Sequence, residues 1–175
     1  MTTPDFILGV DPGLGGALAL YNINRPEKSR VFDMPLSAKG GVCAVSAHKL
    51  IAQAKTFANA DDFWGFVVHA AIENVHSRPR QAGAFNFGLS TGIIHGVLAA
   101  HGIPMTLISP SLWKVKMGLQ RGPDEPASAT KDRARELATK LFPHLADQFK
   151  WKKDDGRAEA LLLAVYYHHT LTGGK

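Results

Sequence analysis

The organising segment of this chain reads Phe6-Ile-Leu-Gly-Val-Asp11-Pro-Gly-Leu-Gly-Gly-Ala17-Leu-Ala-Leu-Tyr21. Its first five residues form an almost continuous apolar run, which is typical of a strand buried on both faces. The residues after Asp11 fix φ or allow a positive φ, as a tight turn requires, and a second apolar run follows. The segment predicts a β-hairpin with a carboxylate at the end of its first, central strand. An Asp beside glycines also braces turns, and this segment alone is compatible with either role.

Composition indicates an ordinary globular protein with a polyanionic partner. The chain has 175 residues, 45% of them hydrophobic and 20% charged, so we expect one domain spanning residues 1–175. A single cysteine, Cys43, excludes an intramolecular disulfide and favours a reducing cytoplasm. No apolar run reaches the roughly 18–20 residues that span a bilayer. The net charge of +5 favours a polyanionic partner, although many basic proteins bind no nucleic acid.

Further strands and helices follow the hairpin. Apolar runs predict strands at 29–34, 66–73 and 105–108, which together with the hairpin make five. Helical spacing of apolar residues predicts helices at 44–58, 84–101, 111–117, 130–141 and 154–167. We expect Ser109 to cap the third helix and Gly118 to Ala129 to form a loop. This interleaving indicates an α/β protein.

Small residues recur every four positions in the helix predicted at 84–101, at Gly88, Gly92 and Gly96. Such a stripe lets two backbones approach closely. We interpret it as intramolecular packing of this helix on the sheet, with a helix–helix dimer contact as the alternative.

Carboxylates mark three distant places in the chain. Asp11 and Glu73 each end a predicted strand, and Asp155 and Glu159 are four residues apart on the last helix, where they share a face. Like charges at that spacing repel each other, so a dication between them would explain the pair, although an Asp at a helix start also serves as a cap. Oxygen ligands of this type select Mg²⁺ or Mn²⁺, and two such ions can support phosphodiester hydrolysis.

The order of these motifs resembles the RuvC-type Holliday junction resolvases, in a phage-like branch of the ribonuclease H-like superfamily. The resemblance covers nearly the whole chain and is carried by Gly9-Val-Asp11-Pro-Gly-Leu-Gly-Gly, Ile72-Glu73-Asn-Val, Phe87-Gly-Leu-Ser-Thr-Gly-Ile-Ile, Ile108-Ser-Pro-Ser-Leu-Trp-Lys114 and Lys153-Asp-Asp-Gly-Arg-Ala-Glu159-Ala-Leu-Leu-Leu-Ala.

The resemblance implies a fold, an activity and a ligand set. The fold would be three-layered, with a central mixed five-stranded sheet flanked by helices. The protein would be a homodimeric endonuclease that uses two Mg²⁺ ions, replaceable by Mn²⁺, and no nucleotide cofactor. It would nick two strands of a four-way DNA junction, leaving a 5′-phosphate and a 3′-hydroxyl. Its place would be the cytoplasm of a bacterium or of a phage-infected host cell.

The implied metal ligands are Asp11, Glu73, Asp155 and Glu159. The family usually spaces its last two ligands three residues apart, which here falls on Gly156, so we choose Asp155 and keep Asp154 as its rival.

Basic residues near these acids are candidates for DNA contact. His76 stands where the family often has an aromatic wedge residue, and the other cations lie beyond the second acid or near the later ones. Their phosphate contacts would be independent of sequence and sensitive to salt. The candidates are His76, Arg78, Arg80, Lys114, Lys116, Lys131 and Arg133.

Three other functions stay open from the sequence. A strand, an Asp and a glycine turn also begin actin-like ATPases and sugar kinases, although 175 residues is short for their two subdomains. Another ribonuclease H-like nuclease would act on flap DNA or on an RNA–DNA hybrid. A junction-binding module without activity is the third, but clustered acids weaken the binding of a polyanion.

Overall fold

The computed structural model describes residues 4–59, 68–74, 83–126 and 128–173. The strands are β1 (Phe6–Asp11), β2 (Ala17–Asn22), β3 (Arg30–Asp33), β4 (Val68–Glu73) and β5 (Met105–Ile108). The helices are α1 (Ala44–Asn59), α2 (Ala84–Ala100), α3 (Pro110–Lys116), α4 (Ser128–Leu141) and α5 (Asp155–Leu171). Short 3₁₀ turns lie at Pro26–Lys28, Pro143–Phe149 and Lys152–Asp154.

The five strands form one mixed sheet in the order β3-β2-β1-β4-β5. β1 is central. It pairs antiparallel with β2 and parallel with β4, which in turn pairs parallel with β5. The hairpin predicted at the start of the chain is confirmed, as is the strand at 105–108. Residues 66 and 67 of the fourth predicted strand lie outside the described residues.

Helices cover both faces of this sheet, which gives the expected three-layered α/β fold. Alternate residues of β1 point to opposite faces: Ile7 packs with α4 and α5, whereas Leu8 and Val10 pack with α1 and α2. Since β1 is buried on both faces, its nearly continuous apolar sequence is explained.

Helix α5 lies directly on the backbone of β1. A Cβ atom at Gly9 would sit 1.9 Å from the carbonyl oxygen of Ala160, so only glycine fits there. Every residue of α5 from Ala158 to Tyr167 is buried, because the sheet covers one side of the helix and α4 packs against it as well. This close contact fixes the position of the acids that α5 carries.

Helix α2 corrects one interpretation of the sequence. Its buried residues are Ser90, Ile94 and Leu98, and the glycine stripe does not pack on the sheet. A Cβ at Gly88, Gly92 or Gly96 would meet no atom within 4 Å. The reason is geometric: each glycine lies two residues from a buried position, about 200° around the helix. The predicted intramolecular packing of these glycines is therefore wrong, and the stripe is open to solvent.

Two smaller findings complete the fold. Ser109 precedes α3 as expected, but its hydroxyl pairs with that of Ser111 at 2.9 Å and makes no capping bond. Among the described residues, no helix has the length and apolar character that a membrane crossing requires.

Candidate active site

Two of the predicted acids lie side by side at one edge of the sheet. Val10 pairs with Ile72 in the parallel β1–β4 register, so the next residues, Asp11 and Glu73, end neighbouring strands. Both follow the alternation that points toward α5. The amide of Gly13 donates to Asp11 Oδ1 at 3.3 Å, and the indole N–H of Trp113 donates to Glu73 Oε1 at 3.0 Å. Each carboxylate is thus held by one neutral donor.

The glycine turn after β1 brings the start of α5 to this edge. A Cβ at Gly156 would lie 2.4 Å from the carbonyl oxygen of Gly15, and a Cβ at Gly16 would lie 2.2 Å from that of Asp11. The turn and the helix therefore touch through bare backbone. Gly156, the position indicated by the usual family spacing, contacts the turn and has no side chain to offer.

Lys114 bridges two of the acids. Its Nζ lies 2.8 Å from Glu159 Oε2 and 3.4 Å from Glu73 Oε1. Both carboxylates are buried, with Glu73 at 7% and Glu159 at 8% exposure. An internal ammonium thus partly neutralises the centre of the site.

Asp155 and Asp154 have different surroundings. The Asp155 carboxylate forms an ion pair with Lys131 of α4 and interacts electrostatically with Glu159. Asp154 is buried and accepts the backbone N–H of Trp151 through Oδ2 at 2.9 Å, while Oδ1 lies 3.7 Å from Arg157. The Asp154 carboxylate therefore stabilises the turn before α5, whereas the Asp155 carboxylate lies near the other acids.

The acids from distant parts of the chain lie close enough to affect one another's pKa values. Burial, and then repulsion from Glu73 and Glu159, raises the pKa of Asp11 to about 7. Burial also raises the pKa of Glu159 against the lowering effect of Lys114. For Lys114, burial lowers the pKa but the Glu159 and Glu73 carboxylates outweigh it, so the net shift is upward. The site holds more negative charge than its lysines balance.

The remaining predicted DNA contacts have varied positions. Arg133 donates to both carboxylate oxygens of Glu125 at 2.8–2.9 Å and to the carbonyl oxygen of Gln120. These bonds stabilise the loop before α4. Lys116 lines a surface cavity near the end of α5, away from the acids. The predicted contacts His76, Arg78 and Arg80 lie outside the described residues.

The hydrogen bond of Trp113 to Glu73 was not predicted from the sequence. Its indole is completely buried and orients Glu73, and Lys114 follows it directly in α3. The residue stood inside a motif that carried the resemblance, but an apolar position on a short helix gives no sign of a polar partner forty residues earlier. The Arg133–Glu125 pair was missed because Glu125 lies in a loop whose path the sequence does not reveal.

Solved structures share the fold of this protein over almost the whole chain. RuvC of Thermus thermophilus in complex with a Holliday junction substrate matches with a TM-score of 0.56 and 17% identity, covering 96% of each chain. This chain has the RuvC fold. A second T. thermophilus RuvC structure matches with a TM-score of 0.51 and 14% identity, covering 97% of each chain. No protein-family model and no curated protein sequence matches. The RuvC likeness confirms the ribonuclease H-like fold predicted from the motifs.

Carboxylate oxygens are the ligands that hard divalent cations prefer. Among the described residues, however, no three metal-binding side chains are close enough together to coordinate one ion as they stand. Lys114 stands between Glu73 and Glu159. The pKa of Asp11, raised by burial and then by the other acids, shows that the buried carboxylates repel each other. A bound dication would reduce this repulsion. Oxygen-only donors match Mg²⁺ and Mn²⁺.

Proposed function

We propose that this protein is an endonuclease that resolves four-way DNA junctions by metal-dependent hydrolysis of phosphodiesters. The observation that carries the proposal is the meeting of Asp11, Glu73 and Glu159, from two strands and the last helix, on a RuvC fold. Support for the substrate comes from the matched T. thermophilus RuvC, which is in complex with a Holliday junction substrate. The net charge of +5 suits a polyanion.

The proposed ligands of two Mg²⁺ ions are Asp11, Glu73, Asp155 and Glu159. When bound, these ions supply positive charge that favours attack by water and stabilises the leaving oxygen. Asp155 is preferred to Asp154 because its carboxylate adjoins the other acids, whereas that of Asp154 is committed to the turn before α5.

The protein's own side chains prepare this site. Trp113 holds Glu73 by its indole N–H, and the Gly13 amide holds Asp11, so both carboxylates keep their directions without a metal. Lys114 and Lys131 stabilise the acids in the metal-free protein. We propose that both ammonium groups turn to phosphate oxygens of the DNA once cations neutralise the carboxylates.

We also propose a homodimer, because symmetric cutting of a junction needs two sites. The exposed stripe of α2 is the proposed contact surface: Phe85 is 80% exposed and Leu89 53%, and the glycines beside them leave room for a second helix. An apolar stripe of this kind, open on the monomer, suits a second copy of α2.

The direct test is a cleavage assay with Mg²⁺ on a synthetic four-way junction, a flap, an RNA–DNA hybrid and plain duplex. We expect paired nicks in the junction, with 5′-phosphate and 3′-hydroxyl ends, and little cutting of the duplex. Preference for the hybrid or the flap would assign the protein to another ribonuclease H-like nuclease class. ATP hydrolysis without nicking would favour the actin-like alternative.

A further inference from the structure

Four exposed residues, Lys150-Trp-Lys-Lys153, project from the surface immediately before α5. The Trp151 side chain is 60% exposed, whereas Trp113 is completely buried. Tryptophan is highly buried on average in folded proteins, so an indole left in water needs an explanation. We call this segment the Trp151 platform.

The platform is held in place from both sides. Phe149, just before it, is 2% exposed, and Asp154, just after it, is 4% exposed. The Trp151 N–H donates to the Asp154 carboxylate, and the Asp154 N–H donates to the Trp151 carbonyl, both at 2.9 Å. The backbone that presents the indole is therefore fixed before any ligand arrives.

The surroundings of the indole are cationic. The ammonium of Lys150 lies 5.4 Å from the centroid of the Trp151 ring, within the range of a cation–π contact. Lys152 and Lys153 are exposed. Within the part of the chain that the structure describes, none of the three lysines has a carboxylate within ion-pair distance, and the acid that feels the charge of Lys153, Asp33, is already bound by Arg157. The nearest acid in sequence, Asp154, is buried and bound to the turn.

An exposed aromatic ring among lysines that form no direct ion pair has the chemistry of a nucleic-acid stacking site. Lysines neutralise the phosphates, and the ring stacks on a base whatever its identity, since every base has a π face. The platform also ends where the proposed metal ligands begin, because Asp155 follows Lys152–Asp154 as the first residue of α5.

We propose that Trp151 stacks on an unpaired base of branched DNA while Lys150, Lys152 and Lys153 bind the phosphates next to it. The inference rests on the proposed function for the identity of the substrate. It adds a contact that holds an opened strand beside the acids, at a place in the chain far from His76.

The test measures binding of a synthetic four-way junction in Ca²⁺ by the full-length protein and its variants. Trp151→Ala should weaken binding about 5- to 150-fold, as expected for the loss of one stacked base. Trp151→Phe should retain most of the affinity. The matched control is Leu171→Ala, which truncates an exposed apolar residue at the other end of α5 and should bind as the wild type does.

The salt dependence of junction affinity distinguishes base stacking by Trp151 from phosphate binding by the lysines. Lys152→Ala or Lys153→Ala should flatten the log–log slope of affinity against salt by about one unit each, whereas Trp151→Ala should leave the slope unchanged. Junction binding should also quench tryptophan fluorescence in the wild type, and Trp151→Phe should abolish most of the quenching.

The inference is overturned if Trp151→Ala binds the junction within twofold of the wild type, or if Trp151→Phe shows the same quenching as the wild type. Neither result depends on cleavage. Failure of the wild type to cut any branched DNA would defeat the proposed function and leave the stacking result to be judged by itself.

Discussion

Asp11 is the acid whose ionised form is most destabilised in the metal-free site. Its carboxyl is surrounded by apolar strand residues and by two other acids, so its pKa rises from 3.8 to about 7. A group whose pKa is higher in the folded than in the unfolded state binds extra protons on folding. The metal-free protein is therefore stabilised by protonation of Asp11 at low pH and loses that stability as the pH rises from about 4 to about 7.

Asp11→Asn should remove this dependence. Within that window the wild type should lose up to ~1.4 kcal/mol of unfolding free energy per pH unit because of this group, and the amide should not. We expect Asp11→Asn to be more stable than the wild type at pH 8 without metal, and to lose the increase in melting temperature that Mg²⁺ gives the wild type. Denaturation with and without Mg²⁺ at several pH values measures both effects, and equal pH profiles for the two proteins would contradict them.

The two neighbouring aspartates before α5 make a matched pair for mutation. Asp155→Asn should fold normally and lose cleavage, because its carboxylate lies among the other acids. Asp154→Ala should lower stability by about 1–3 kcal/mol, because the Trp151 N–H loses its acceptor, while cleavage at permissive temperature persists. The reverse outcome, with cleavage lost only in the Asp154 variant, would make Asp154 the ligand.

At the scale of elements, the contact of α5 with β1 builds the site. The contact is made by bare backbone at Gly9 and again at Gly156 against the glycine turn. A displacement of α5 would move Glu159 and Asp155 together, away from the strand-borne acids.

Gly9→Ala tests this contact. The added methyl group meets the Ala160 carbonyl at 1.9 Å, so we expect a loss of about 1–3 kcal/mol in stability and a larger loss in cleavage than in junction binding. Gly41→Ala is the control, because its Cβ would meet no atom within 4 Å and it lies outside both the acids and the exposed stripe of α2, so its stability should change by less than about 0.5 kcal/mol. Equal stability of the two variants would mean that α5 is not seated on β1 as described.

Elements with a clear apolar period could be predicted from the sequence, and their partners could not. The hairpin at 6–22 and strand β5 follow from local runs of residues. The orientation of α2 does not, because the helix is apolar nearly all round, so its sequence fails to separate the side that meets the sheet from the side that carries glycine. Only the buried residues Ser90, Ile94 and Leu98 reveal which side is inward.

In the whole molecule, too, local features could be predicted from the sequence, whereas contacts between distant elements could not. Asp11 and Glu73 could be proposed from the sequence because each ends a strand, and neighbouring parallel strands bring their ends to one edge. Glu159, one turn into α5, could be proposed from its spacing to Asp155. The bridging position of Lys114 and the hydrogen bond of Trp113 to Glu73 could not, since they depend on how α3 packs against the sheet.

The proposed dimer is a property of this larger scale. Leu89→Glu places a charge in the exposed stripe of α2 and should convert the dimer to a monomer that binds single arms and no longer cuts both strands in a coordinated way. Sedimentation velocity measures the oligomeric state, with Leu141→Glu, an exposed leucine at the end of α4, as the control. A wild type that is monomeric at all concentrations, or a dimer that survives Leu89→Glu, would exclude this surface.

Cleavage of a synthetic four-way junction by the wild type and by Glu159→Gln, with Mg²⁺, examines the shared acid site most directly. We expect paired nicks from the wild type, loss of nicking in the amide variant, and equal binding of the junction by both proteins in Ca²⁺. Nicking by Glu159→Gln at the wild-type rate would show that acids brought together from both ends of the chain do not form the cutting site.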